Sequence, residues 1–400
     1  MLYFDHAATT PTDERVVKKM LPYFEVKFEN PSSLYKGGIE AKKAVELSRK
    51  TLAKFFNCKS SEIIFTNGGT ESDNIAIFGV ARNFKKGHII TSQIEHHAVL
   101  NSCKQLEREG FKVTYLPVNK DGIVEISALK KALTKDTILV SIMYANNEIG
   151  TVQPVAKISE IIRNFRKKLE IRNEKLDFQS PISNLLFPFF HSDACQATQY
   201  LEMNVEKLGV DLLTINGSKI YGPKGIGALY VRDEIKLEPI LFGGEQESGL
   251  RPGTENVPGI VGLAEAIEIV TRCGKLESRK ELKLRDYIIR ELLKIEGSRL
   301  NGSRINRLPN NINISFEGVE GESLVLYLDK EGIYCSTGSA CTSKSLAPSH
   351  VIMALTNDAE IAHGSLRVTI GRSTTKAQAD KLINAVKEYV KKLREMSAVS

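Results

Sequence analysis

Two polar residues stand just past short apolar runs in this 400-residue chain. Asp193 closes Phe189-Phe190-His191-Ser192, and Lys219 follows Leu212-Leu213-Thr214-Ile215 by four positions. An amine partly withdrawn from water at such a place can form a Schiff base. A carboxylate there can keep a pyridine nitrogen protonated. A third feature is Asn67-Gly68-Gly69-Thr70-Glu71-Ser72, where a β-type run feeds a Gly-Gly-Thr turn and then a helical stretch. Bare N–H groups and the helix dipole at such a turn suit a phosphate. Amine, carboxylate and phosphate cradle are together the parts of a pyridoxal phosphate (PLP) site. His96, in Glu95-His96-His97, follows the run at 88–92 and can stack on an aromatic cofactor ring. Taken singly, each feature has a plainer reading: a capping Asp, a solvated Lys, an ordinary glycine turn, a satisfied histidine.

Other glycine-rich stretches fail as nucleotide sites. Gly222-Pro223-Lys224-Gly225-Ile226-Gly227 lacks the G-x-G-x-x-G spacing, and Pro223 falls where a P-loop started at Gly217 needs lysine. Cys341 lies in the small, polar stretch Ser336-Thr337-Gly338-Ser339-Ala340-Cys341-Thr342-Ser343, which predicts an exposed, reactive thiol. Cys335, beside Ile333 and Tyr334, is expected to be a buried small hydrophobe.

The elements that must position these residues alternate. β-type runs are expected at 62–66, 88–92, 112–118, 137–143, 189–191 and 212–215, with helical patterns between them. That order predicts an α/β fold with a mostly parallel sheet. Ligands then bind beyond the C-terminal strand ends, where the polar residues above converge. The C-terminal part differs. Residues 276–296 read as helix, 311–316 alternate as a half-exposed strand, and 376–394 form an amphipathic helix opened by a Thr375/Gln378 capping box. A boundary is expected near residue 260. Residues 168–188 read as a surface insertion.

Composition narrows the function classes. Hydrophobic residues make up 42% and charged residues 26%, and no apolar run approaches the ~20 residues of a membrane span. The net charge of +7 is mild over this length and favours a solvated surface over direct nucleic-acid binding. The first residues show no secretory pattern, and the six cysteines have neither disulfide-framework nor zinc spacing. A cytoplasmic protein with reduced thiols is expected.

Several spaced motifs resemble the PLP-dependent cysteine desulfurases: Asp5-His6-Ala7-Ala8-Thr9-Thr10-Pro11, Thr70-Glu71-Ser72-Asp73-Asn74, Asn146-Asn147-Glu148-Ile149-Gly150, Lys219-Ile220-Tyr221-Gly222-Pro223-Lys224-Gly225 and Gly338-Ser339-Ala340-Cys341. The likeness covers nearly the whole chain outside 168–188 and is to the long cysteine-loop group used in iron–sulfur cluster assembly and tRNA thiolation. It implies PLP fold-type I. A large domain (12–260) would carry a mostly parallel seven-stranded sheet, and a smaller α+β domain (1–11 and 261–400) would carry the cysteine loop. It also implies a homodimer. Lys219 would form the Schiff base, Asp193 would pair with the ring nitrogen, and His96 would stack on the ring. Asn147 and Gln196 would contact the ring hydroxyl region. Gly69, Thr70, Asn216 and Ser218 would serve the phosphate, and Thr254 would reach the partner subunit's phosphate. Arg367, assisted by Asn30, would clamp the carboxylate of L-cysteine. Cys341 would take the sulfur as a persulfide, pass it to a cluster scaffold or tRNA-thiolation protein, and be the one candidate contact to an iron–sulfur cluster.

The chain departs from the pattern at Ser218, where the family usually has His, and at Asn216, where it has Ser. Tyr35, Glu245, Ser248, Pro252 and Ala347 differ as well. Loss of that histidine predicts weaker PLP retention, to be checked by titration; a submicromolar dissociation constant would count against it. The alternatives are a selenocysteine lyase or another fold-type I PLP enzyme, and a low-activity scaffold protein with this fold. Activity without Cys341 would mark the former, and failure to bind PLP the latter.

Overall fold

The apolar runs become strands because both of their faces are covered. Every residue of Thr137–Ser141, Phe189–Asp193 and Gly227–Val231 is buried. The computed structural model describes residues 1–171, 187–338 and 347–397. Its strands are β1 (Leu2–Tyr3), β2 (Ile63–Thr66), β3 (His88–Ser92), β4 (Lys112–Leu116), β5 (Thr137–Ser141), β6 (Phe189–Asp193), β7 (Leu212–Asn216), β8 (Gly227–Val231), β9 (Ser298–Leu300), β10 (Asn311–Phe316), β11 (Ile333–Tyr334) and β12 (Ser365–Thr369).

Seven of them form the central sheet in the order β2-β8-β7-β6-β5-β3-β4. From β4 to β7 neighbours run parallel, while β8 runs antiparallel to both β7 and β2. The six expected runs are all strands here. β4 ends at Leu116 because Pro117 cannot donate to a ladder. β5 ends at Ser141, and the Met143 N–H beyond it goes instead to the Glu95 carboxyl at 3.0 Å. β8 had no counterpart among the expected runs.

Side chains alternate across the sheet with period two. Phe65, Ile90, Val140, Phe190, Leu213 and Ala228 point to one core, shared with the helices Lys36–Phe56 and Val257–Leu292. Ile64, Ile89, Leu139, Phe189, Leu212 and Leu229 point to the other, shared with Gly69–Ala81 and His97–Arg108. A third core joins Phe4, Ile312, Ile314, Leu366 and Val368 to the helix Lys376–Ser397. There β10 lies between β9 and β12, antiparallel to each, and β1 pairs in parallel with β11.

The expected capping box is present: Thr375 N–H donates to Gln378 Oε1 at 2.9 Å, and Gln378 N–H to Thr375 Oγ1 at 3.3 Å. The helix read at 276–296 is the second half of one 36-residue helix, Val257–Leu292. One expectation is corrected. β10 alternates in sequence but is buried at all six positions. Its polar face is covered because Asn311 and Asn313 donate to the Glu148 carbonyl (3.1 and 3.2 Å) and Ser315 to the Ile361 carbonyl (2.6 Å). Of the stretch read as an insertion, only 168–171, the end of the helix Val155–Ile171, and 187–188 are among the described residues. Among the described residues no helix is long and apolar enough to cross a membrane.

Candidate active site

The Gly-Gly turn takes its shape from φ. Gly68 sits at φ +138°, a conformation L side chains avoid. A Cβ on Gly69 would lie 2.7 Å from the Cys195 sulfur. Gly69 begins the helix Gly69–Ala81, whose N-cap, Gly68, offers no side-chain acceptor. Its first N–H groups therefore form an anion-binding end. The exposed Thr70 adds a hydroxyl there. Glu71 accepts the Asn67 N–H, and Arg251 balances its charge at 3.4 Å.

Asn216 ends β7 beside this turn. Its Oδ1 accepts both the N–H and the hydroxyl of Ser218 at 3.1 Å. Its Nδ2 is what a side chain on Gly69 would meet next, at 3.7 Å. Ser218 and Asn216 thus engage one another, and Asn216 Nδ2 is the donor turned toward the turn. Lys219 closes the short 3-10 turn Gly217–Lys219, and its Nζ donates to the Ala8 carbonyl at 2.5 Å.

Asp193 is the last residue of β6. Its Oδ1 accepts the Cys195 N–H at 2.9 Å, a turn that fixes the carboxylate as the strand leaves the sheet. Two other carboxyls lie in this region, and both are fully withdrawn from water. Burial, and then the charge of Asp193, push Asp73 well above the usual carboxylate range. Burial pushes Glu95 up to about 8. Glu95 thus favours its protonated form at neutral pH, and burial disfavours charge on Asp73 in the same direction. Burial also pushes Cys195 well above the usual thiol range, so it is no nucleophile. His191 fills the strand interior, bonded to Ser141 Oγ (2.8 Å) and Thr214 Oγ1 (3.0 Å), with burial lowering it to about 4.

His96 caps the helix His97–Arg108: its Nδ1 accepts the Ala98 N–H at 3.1 Å. Burial lowers its pKa, opposed by Asp193 and assisted by Lys219. The ring is therefore neutral, with its proton on Nε2.

The segment Asp5–Thr10 stitches these parts together. Gln196 Nε2 donates to the Ala7 carbonyl at 3.0 Å, and Thr10 N–H to the Ser218 carbonyl at 2.8 Å. Asp5 pairs at 2.8 Å with Arg367, which β12 carries and which is 3% exposed. Arg367 Nη1 also donates to the Asn147 carbonyl at 3.3 Å, while its buried Nε has no hydrogen-bond partner among the described residues.

The structure thus brings together Gly69, Asn216, Ser218 and Lys219, then Asp193, Gln196, His96, Asn147 and Arg367. Asn30 and Thr254 remain exposed on surface loops, and Asn30 Oδ1 caps its own turn through the Ser32 N–H at 2.9 Å. Cys341 lies outside the described residues. Sequence reasoning gave no individual role to Asp5, Asp73, Glu95 and His191. Their signal was position: His191 fills β6, Glu95 lies in the turn just past β3, Asp73 is buried in the helix Gly69–Ala81, and Asp5 opens the motif that crosses the same edge.

This donor set fits PLP. An uncapped helix end suits its phosphate, a lysine amine its aldehyde, and a fixed carboxylate its ring nitrogen. The unpaired Arg367 Nε gives an incoming carboxylate a buried donor.

The chain belongs to the aminotransferase class-V family, whose model matches residues 2–169 and 188–382. The unmatched interval, 170–187, falls inside the stretch read as an insertion. The cysteine desulfurase IscS of Dictyoglomus turgidum is 49% identical over 399 residues, covering 99% of this chain and 96% of its own. A solved NifS-like protein superposes with a TM-score of 0.87 at 36% identity, covering 98% of this chain and 99% of its own. A solved structure of SspA in complex with cysteine superposes at 0.78 with 34% identity, covering 94% and 100%.

Proposed function

We propose that this chain is a PLP-dependent cysteine desulfurase that moves sulfur from L-cysteine onto Cys341 and releases L-alanine. The observation that carries this reading is the gathering of Lys219, Asp193, His96 and the bare Gly68–Gly69 turn at one sheet edge. Arg367 joins that edge through Asn147 and Asp5. The names of the relatives, and the cysteine held by the solved SspA structure, support the same substrate.

Lys219 would hold the cofactor's aldehyde carbon and Asp193 its ring nitrogen. His96 would lie against the ring, with Asn147 and Gln196 at its hydroxyl side. The helix end at Gly69 and Thr70, aided by Asn216 and Ser218, would hold the phosphate. When bound, the cofactor supplies an electron sink for negative charge at the substrate Cα.

The protein's own groups do the rest. Arg367 binds the substrate carboxylate in place of Asp5, using the donor left unpaired. Lys219 Nζ, held by the Ala8 carbonyl, takes the Cα proton and later returns one. The neutral His96 presents a donor at Nε2 without adding charge. The Cys341 thiolate attacks the substrate sulfur: an S–S bond forms, the Cβ–S bond breaks, and its electron pair stays with the carbon. In sum, L-cysteine and a thiol give a persulfide and L-alanine, with no outside oxidant.

A homodimer is part of the proposal. Phe24, Phe28, Leu34 and Phe242 are 58, 70, 92 and 82% exposed, and the exposed Asn30 and Thr254 belong to the same two stretches of chain. A cleft of about 580 Å³, lined by Pro31, Ser32, Arg49 and Glu247 among others, separates those stretches. A second copy would cover this apolar surface and bring Thr254 to the other subunit's phosphate. The division into 12–260 and 1–11 with 261–400 is retained on the same reading. The acceptor would be an iron–sulfur scaffold or a tRNA-thiolation protein. The free described cysteines favour a reducing cytoplasm.

The test is sulfide and alanine release from L-cysteine with a reductant. Equal yields, lost in both Cys341→Ala and Lys219→Ala, are expected. Turnover surviving Cys341→Ala would mean lyase chemistry and overturn the assignment.

A further inference from the structure

Glu148 has no part in the mechanism above, yet its buried carboxyl is bonded to Ser349 and leaves no room for a side chain at Gly338, the two described residues on either side of the stretch that carries Cys341. On one side Ser349 Oγ donates to Glu148 Oε2 at 2.5 Å. The same Oγ accepts the Ile352 N–H at 3.2 Å and so caps the helix His350–Thr356. On the other side Gly338 runs so close that a Cβ on it would lie 2.2 Å from Glu148 Oε2 and 3.2 Å from Ser349 Cβ. A side chain at 338 would have to displace the Glu148 carboxyl. The backbone beneath is locked. Glu148 N–H donates to Asn146 Oδ1 at 2.8 Å, and its carbonyl accepts from Asn311 and Asn313.

The same two ends are tied to the site. Ser336 and Arg367 exchange backbone hydrogen bonds of 3.2 and 2.7 Å, and His350 Nε2 donates to the Glu95 carbonyl at 3.0 Å. Gly338 therefore follows the residue paired with the carboxylate-binding arginine by two positions, and Ser349 precedes a histidine bonded beside His96.

We infer that Glu148 is a positioning residue for sulfur transfer: by holding Ser349 and filling the space against Gly338, it sets where the two described ends stand on either side of the stretch that carries Cys341. This rests on the desulfurase reading. A misplacement of about 1 Å at a reacting atom costs on the order of 100-fold in rate. Glu148 touches neither substrate nor cofactor in this scheme. Its loss should therefore spare the steps before the thiolate attack and slow the attack itself.

The experiment mixes PLP-loaded enzyme with L-cysteine in the absence of reductant and follows two signals. One is the change in cofactor absorbance on substrate engagement. The other is persulfide on Cys341 in a single turnover, read by alkylation and mass spectrometry. Glu148→Ala and Ser349→Ala should leave the absorbance change within about twofold and slow persulfide formation by about 10- to 100-fold. Glu148→Gln, whose Oε1 still accepts the Ser349 proton, should recover most of the rate. Persulfide formed at the wild-type rate in Glu148→Ala would overturn the inference. So would a parallel fall of both signals in Ser349→Ala and Glu148→Gln, which marks a merely structural residue. If Glu148→Ala does not fold, Ser349→Ala and Glu148→Gln decide. Failure of the wild type to place sulfur on Cys341 would instead sink the desulfurase reading, and this inference with it.

Discussion

At the scale of single residues, the site is built from small clearances and buried protons. Gly69 shows the first. With Cys195 Sγ only 2.7 Å from where its Cβ would lie, Gly69→Ala must push the turn off the sheet edge. We expect PLP affinity to fall at least about tenfold, and a titration that leaves it unchanged would show that the turn does not hold the phosphate. Glu95 shows the second. Its folded pKa of about 8 lies above the ordinary carboxylate value because burial disfavours the charge. The unfolded state therefore releases this proton at lower pH than the folded state does. Its contribution is full below about pH 4.5 and is lost as pH rises toward 8. Glu95→Gln keeps a neutral group there. The urea midpoint of wild type should therefore fall relative to Glu95→Gln between about pH 5 and 8. Parallel profiles would show that Glu95 is ionised in the fold. Lys219, Asp193 and His96 were legible in the sequence because each follows an apolar run. Asp73, Glu95 and His191 were not assigned roles, since a buried polar group in a helix, turn or strand looks ordinary until its neighbours are known.

At the scale of elements, legibility followed periodicity. The strands at 88–92 and 137–141 and the helix Lys376–Ser397 were readable because both faces, or one clean stripe, announce themselves. The capping box was readable because it is local. Thr375→Ala removes it from an exposed position away from the site, so it should cost about 1 kcal/mol in unfolding free energy and leave turnover unchanged. A loss of activity beyond the loss of folded protein would contradict this. The burial of β10 was not readable, because its polar face is satisfied by Glu148 and Ile361, far off in sequence. β8 was missed for a related reason: glycines around Gly225 and Gly227 masked a five-residue strand that packs antiparallel into the sheet.

At the scale of the whole molecule, the exposed apolar stretch calls for a partner, and no compositional measure reveals it. Burying a side chain the size of phenylalanine contributes about 1.5–3 kcal/mol. On the proposed dimer, a Phe24→Asp, Phe242→Asp double variant should therefore run as a monomer in analytical ultracentrifugation and bind PLP more weakly, because the proposed Thr254 contact to the other subunit would be lost. A dimer that survives both changes would place the interface elsewhere. The segment Asp5–Thr10 has a further consequence, and it concerns time. Asp5 bonds to Arg367 across 362 positions, and Ala7 to Thr369 across the same separation. On the ribosome these residues emerge long before their partners, while the sheet edge with Lys219 and Asp193 can already assemble. The bonds that seat Arg367 therefore close only when nearly the whole chain has been made.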